Sequence, residues 1–170
     1  MIYIDEILQA KVSAASAELD RPIYWFCGDI VEIIGELKKL SEAKSTKAMR
    51  FPMVALLRDF PEAKGQEIGI YSEPTVTLLI CTRTEPTYNT QKRKEISFKP
   101  VLHPIWEALE KQINWGREFL TSGIGLDYTQ IDHYFYGRES IYGKEANIFT
   151  DFIDCVEIRN LNLKFKQENC

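Results

Sequence analysis

Thr75-Val76-Thr77-Leu78-Leu79-Ile80-Cys81-Thr82-Arg83-Thr84, residues 75–84, decides how the rest of the chain is arranged. Its apolar side chains occupy consecutive positions, so both faces of the strand are apolar, and such a strand is covered on both sides of its sheet. It is therefore expected at the centre. A helix predicted over residues 103–115 carries Ile105, Trp106, Leu109 and Ile113 at helical spacing, one apolar stripe able to lie across that sheet. Pro100 and Pro104 place the start of this helix near His103, with Pro104 at the first helical position, where a missing amide costs nothing. Between strand and helix the reading leaves a polar loop, residues 84–96, carrying Gln91-Lys92-Arg93-Lys94.

Upstream, Ile4, Ile7, Leu8, Val12, Ala15 and Leu19 recur at helical steps, and Pro22 bounds the helix they define. Ile23-Tyr24-Trp25-Phe26-Cys27 reads as a short strand ending at Gly28. Asp29, with Glu32 three residues on, reads as a capping box opening a second helix through Ile33, Ile34, Leu37 and Leu40. Residues 41–47 are polar. Phe51-Pro52-Met53-Val54-Ala55-Leu56-Leu57 is a second apolar run, predicted to pair with residues 75–84 through a hairpin-like connection over residues 62–72. Downstream, Gly123 and Gly125 mark a loop. Residues 128–136 alternate as a strand, with Ile131, His133 and Phe135 on one face and Asp132, Tyr134 and Tyr136 on the other. Residues 137–147 form a connection.

In the last strand Val156 and Ile158 put the apolar face on even positions, whereas Leu161, Leu163 and Phe165 put it on odd ones. A period of two cannot change parity without an extra residue, so a bulge is expected at Arg159-Asn160. Residues 167–170 are read as a frayed end. These elements predict an α+β fold: one domain over residues 1–170, with a mixed, largely antiparallel sheet of about four to five strands flanked by helices.

Composition narrows the function classes. A net charge of −4 over 170 residues disfavours a dedicated, sequence-specific nucleic-acid binder. No apolar run reaches the roughly 20 residues that span a bilayer, and the acidic Asp5-Glu6 stands where a secretory leader would be basic, so the expected location is the cytoplasm, with no membrane partner. The 4 cysteines, Cys27, Cys81, Cys155 and Cys170, lie far apart without a C-x-x-C pair, which suits reduced thiols, with Cys81 and Cys155 as small core residues.

No catalytic motif is present, and no cofactor or metal is expected. A thiol nucleophile needs an imidazole within reach, and the chain offers only His103 and His133; Cys27, beside the start of a helix, is the best-placed thiol. A metal site built from Asp132, His133, Asp151 and Asp154 is disfavoured, because Asp132 and His133 point to opposite faces of a strand. The positively charged loop is the remaining candidate. Lys92, Arg93 and Lys94, with Arg83 and Tyr88 nearby and Lys99 beyond, concentrate positive charge on an acidic chain and could meet phosphates or an acidic protein surface.

Three phrases carry a resemblance: Arg50-Phe51-Pro52-Met53-Val54-Ala55-Leu56-Leu57-Arg58-Asp59-Phe60, Phe98-Lys99-Pro100-Val101-Leu102-His103-Pro104-Ile105-Trp106, and Asp151-Phe152-Ile153-Asp154-Cys155-Val156-Glu157-Ile158. With the order of elements, they resemble the tail-terminator and tail-completion (head-tail joining) structural proteins of long-tailed bacteriophages. That resemblance implies a non-enzymatic protein of a phage or prophage. It would self-associate into a ring-like homo-oligomer that caps the tail tube, meets tail-tube or head-connector proteins, and ends in the virion. The chain departs from the small family members at residues 137–147 and in its two-helix start. No catalytic residue carries over. Two other readings stand beside it, a small hydrolase using Cys27 or a His133-centred site, and a monomeric adaptor.

Overall fold

The computed structural model describes residues 3–42, 51–65, 71–120, 125–134, 136 and 152–166. Its elements run α1 (Ile4–Glu18), β1 (Tyr24–Gly28), α2 (Ile30–Glu42), β2 (Met53–Leu57), β3 (Glu62–Gly65), β4 (Tyr71–Arg83), α3 (Thr90–Arg93), a π-helical segment (Lys94–Leu102), α4 (His103–Asn114), β5 (Thr129–His133), β6 (Ile153–Asn162) and β7 (Phe165–Lys166). Residues 1–2, 43–50, 66–70, 121–124, 135, 137–151 and 167–170 lie outside the described residues. With them fall Gly123, Phe135, Asp151, the connection at 137–147, the chain end, and parts of the stretches 41–47 and 62–72.

The strand order is β1-β2-β4-β6-β5, and the short β3 and β7 also pair with β4 in this 7-stranded sheet. Only β1 and β2 run parallel; the other pairings are antiparallel. The expected α+β class and mixed, mostly antiparallel sheet are borne out. β4 is central, and Met53 faces Cys81 while Leu57 faces Thr77 across the β2–β4 ladder. The two short strands were not foreseen as strands. β4 is long enough to extend past β2, and its first residues, Tyr71 to Pro74, take β3 as a neighbour, with β7 beside Tyr71 and Ser72.

The two apolar faces of β4 feed two cores. Val76, Leu78 and Ile80 join Val54, Leu56, Val156 and Ile158 beneath α1, the π-helical segment and α4, with Leu8, Val12, Phe98, Leu102, Ile105, Leu109 and Ile113 above them. On the other face Leu79 and Cys81 join Met53, Ala55, Ile153 and Cys155, covered by Ile33 of α2. A side chain of this size contributes about 1.5–3 kcal/mol when fully buried, so cover on both faces is what keeps a strand of this composition in place.

Local chemistry explains the element boundaries. The Asp29 carboxylate accepts from the Glu32 amide at 2.7 Å while the Asp29 amide donates to Glu32 Oε2 at 2.9 Å, the reciprocal bonds of a capping box. Gly28 makes room for it: a Cβ there would stand 2.7 Å from Glu32 Oε2. The parity change in β6 is also present. Leu78 pairs with Ile158 but Val76 pairs with Leu161, so β6 spends one residue more than β4 across Arg159-Asn160, and Asn160 takes φ 56°. Asparagine tolerates that left-handed conformation better than most residues. Ile158 and Leu161 consequently share one core.

Two expectations are corrected here. The α-helix does begin at His103 with Pro104 in its first turn, but residues 90–96 are not a loop: helical structure already runs from Thr90 onward, capped by the Asn89 side chain, which accepts from the Lys92 amide at 2.8 Å. Pro100 is held inside the π-helical segment, where the His103 amide reaches back to Phe98 O. A wider turn relieves the clash between the proline ring and the carbonyl four residues back, which an α-helix could not do without a kink. The second correction concerns Tyr136. It meets the His133 ring at a tilt, with ring centroids 5.4 Å apart, and packs in the α2-side core, so alternation along β5 does not continue past His133.

Candidate interaction surface

The five residues singled out for interaction are split by the fold. Arg83 closes β4 and is exposed, and Lys92 and Lys94 are exposed on the first helical turns. Lys92 Nζ lies 4.1 Å from the centroid of the Tyr88 ring, a cation–π contact that orders the tip. Arg93 is different. Its guanidinium is buried: Nη1 donates to Asp154 Oδ1 at 2.8 Å, Nε to Tyr88 O at 2.9 Å and Nη2 to Glu85 O at 3.1 Å. Arg93 is therefore corrected from a surface charge to an internal strut that ties the loop before α3 to β6. A buried charge demands such partners, and the helical turn that begins at Thr90 aims this one side chain inward while its neighbours Lys92 and Lys94 point out.

The pairing of Cys27 with an imidazole fails on distance. Cys27 lies in β1 and His133 in β5, the two opposite ends of the strand order. Four strand spacings separate them, about 19 Å. His103 is no nearer, because its Nε2 sits 2.9 Å from Asp132 Oδ2, on the same β5. Burial, followed by the Asp5 carboxylate, also pushes the Cys27 thiol above its ordinary pKa, which favours the unreactive thiol. His133 is engaged instead with Glu157, at 2.6 Å, whose other oxygen accepts from Arg159 Nε at 2.7 Å. Asp132 and His133 do face opposite sides of β5, one toward α4 and the other toward the α2-side core. Among the described residues no group of three or more His, Cys, Asp or Glu side chains is placed to hold a metal ion.

The surface that the sequence reading passed over is the free side of β1. Tyr24 N–H donates to Pro52 O at 3.0 Å and Gly28 O accepts from Arg58 N at 3.1 Å, so these residues turn their backbone groups inward to β2. Alternation then turns those of Trp25 and Cys27 outward. No strand pairs with that side among the described residues.

No protein-family model matches the chain, and no curated protein matches it either.

Sheet edges open to solvent are normally defended by charge, proline or a bulge, because unpaired N–H and C=O groups are a template for another chain. Tyr24-Trp25-Phe26-Cys27-Gly28 has none of these, and its first four residues are only half-buried. The signal was legible, a strand without a single charge, but only its place at the edge makes it meaningful. Larger apolar side chains stand out elsewhere too, with Trp115 74% and Val31 72% exposed. Among the described residues no helix is long and apolar enough to cross a membrane.

Proposed function

We propose that the protein works by association, as a non-enzymatic structural protein whose copies join through the open edge of β1, and that the assembly is the ring that terminates a phage or prophage tail tube or joins it to the head. The observation that carries this reading is the undefended β1 edge. Added strands dock on such an edge through main-chain hydrogen bonds, with side-chain contacts setting specificity. Among the described residues β1 and β5 are the two ends of the sheet. Joining the β1 end of one copy to the β5 end of the next is a head-to-tail contact, which closes into a ring when the rotation between copies permits. The exposed Arg83, Lys92 and Lys94 offer a second, electrostatic surface for an acidic neighbour such as a tail-tube or head-connector protein, with steering that fades as salt screens it. The ring itself rests on the resemblance of the three phrases, which fall on β2, on the π-helical segment with α4, and on β6.

The test is the molar mass in solution by light scattering, across concentration, for the wild type, Cys27→Pro and Cys27→Ala. Proline at 27 deletes one outward donor and leaves the inward ladder to β2 intact, as edge strands allow. The expected result is a discrete oligomer for the wild type and Cys27→Ala and a folded monomer for Cys27→Pro. A wild type that stays monomeric well above micromolar concentration would leave the monomeric adaptor, and a Cys27→Pro chain that assembles normally would remove β1 as the joint. Should the proline variant be unfolded by circular dichroism, Cys27→Lys, which puts a charge on the same half-buried strand without removing a core-packed aromatic, takes its place.

A further inference from the structure

Cys81 and Cys155 stand opposite one another on the adjacent inner strands β4 and β6. Both are free and buried on the α2 side of the sheet. The ladder fixes their geometry. Thr84 N–H donates to Phe152 O at 2.8 Å, which makes that pair a hydrogen-bonded one. Bonded and non-bonded pairs alternate along an antiparallel ladder, so Thr82 and Asp154 form the next bonded pair and Cys81 and Cys155 fall at a non-hydrogen-bonded position, where Cα atoms are about 4.5 Å apart. A disulfide spans Cα separations of roughly 4.4–6.8 Å, so this pair is within reach of one without backbone movement, at the short end of the range.

We propose that Cys81 and Cys155 are an oxidation-responsive pair that a peroxide converts into a cross-strand disulfide. One sulfur, as thiolate, attacks a peroxide oxygen; the O–O bond breaks, hydroxide leaves, and with the thiol's proton it becomes water. The resulting sulfenic acid is attacked by the second sulfur, the S–O bond breaks and a second water departs. Two thiols lose two electrons and the peroxide gains them. Ile33 of α2 and Tyr136 share this core with the pair, and His133 stands opposite Cys155 on β5. Burial holds the Cys155 thiol protonated, so the reaction waits on opening of this face, and the pair persists as thiols in a reducing compartment. Once made, the bond links the two central strands across a long loop and restricts the unfolded chain, while its short span keeps it reducible.

The experiment exposes the folded protein to hydrogen peroxide, alkylates the remaining thiols and maps peptides without reductant, with Cys81→Ala and Cys155→Ala alongside. The expected result is an intact mass lower by two hydrogens, a peptide joining Cys81 to Cys155, a higher urea midpoint, and reversal of all three by dithiothreitol. Neither single variant should lose the two hydrogens. Folded protein in which both thiols remain alkylatable, gain oxygen, or link to Cys27 or Cys170 instead would overturn the proposal. Peptide mapping reads the bond directly, so the outcome is independent of whether copies assemble through β1.

Discussion

Replacing Asp154 by alanine isolates what the internal ion pair contributes. In the native protein Arg93 Nη1 reaches Asp154 Oδ1 at 2.8 Å, and the two side chains are 2% and 0% exposed. Removing the carboxylate deletes a charge-assisted hydrogen bond of about 1.5–3 kcal/mol from a buried guanidinium. Losing one partner of a buried pair costs about 3–5 kcal/mol. The bonds from Arg93 to Tyr88 O and Glu85 O remain, so the lower end applies, about 3 kcal/mol. With a urea slope of about 2 kcal/mol/M, the unfolding midpoint should fall by about 1.5 M. The assay is urea denaturation followed by far-UV circular dichroism, with Arg93→Met and the double variant closing a cycle. The double variant should lose less than the sum of the singles, because an apolar pair removes both desolvation costs. Lys94→Glu, on the exposed neighbour, should change stability by less than about 0.5 kcal/mol. A loss below about 1 kcal/mol for Asp154→Ala, no larger than an ordinary surface change, would refute the reading of Arg93 as a strut.

Asn160→Gly should leave stability unchanged or raise it slightly, whereas Asn160→Val should cost about 1–2 kcal/mol, because Asn160 has φ 56° and a β-branched side chain resists that conformation; urea midpoints of the two variants decide. Glu18 is held below its usual pKa by its bonds to Lys111 and then Gln112, and Glu118 by its bond to Lys11, and both bind α1 to α4 or the turn after it. Their folded-state pKa values are depressed, so their stabilisation is present above the unfolded value of 4.5 and is lost as pH falls through the folded values. Thermal melts from pH 7 to 3 should show this loss, and Glu18→Gln with Glu118→Gln should flatten it.

What the sequence by itself determined was whatever depends on neighbours within a few residues. The period of apolar side chains marked α1 and α4 as helices and β2 and β4 as strands; the reciprocal bonds of Asp29 and Glu32 needed only one turn of helix. The bulge at Arg159-Asn160 followed from counting alone, since a change of parity in a two-residue period leaves one residue over. Tertiary structure decided the rest. Arg93 looks like Lys92 and Lys94 in a basic run, and its burial rests on Asp154, 61 residues away in the chain. The helix through Pro100 exists because Phe98 and Leu102 bury their side chains over the sheet, a gain that outweighs the local penalty of the proline. An apolar strand such as β1 reads the same at a sheet's centre or at its edge, because composition records what a strand can bury and only its neighbours in space determine which backbone groups stay unpaired.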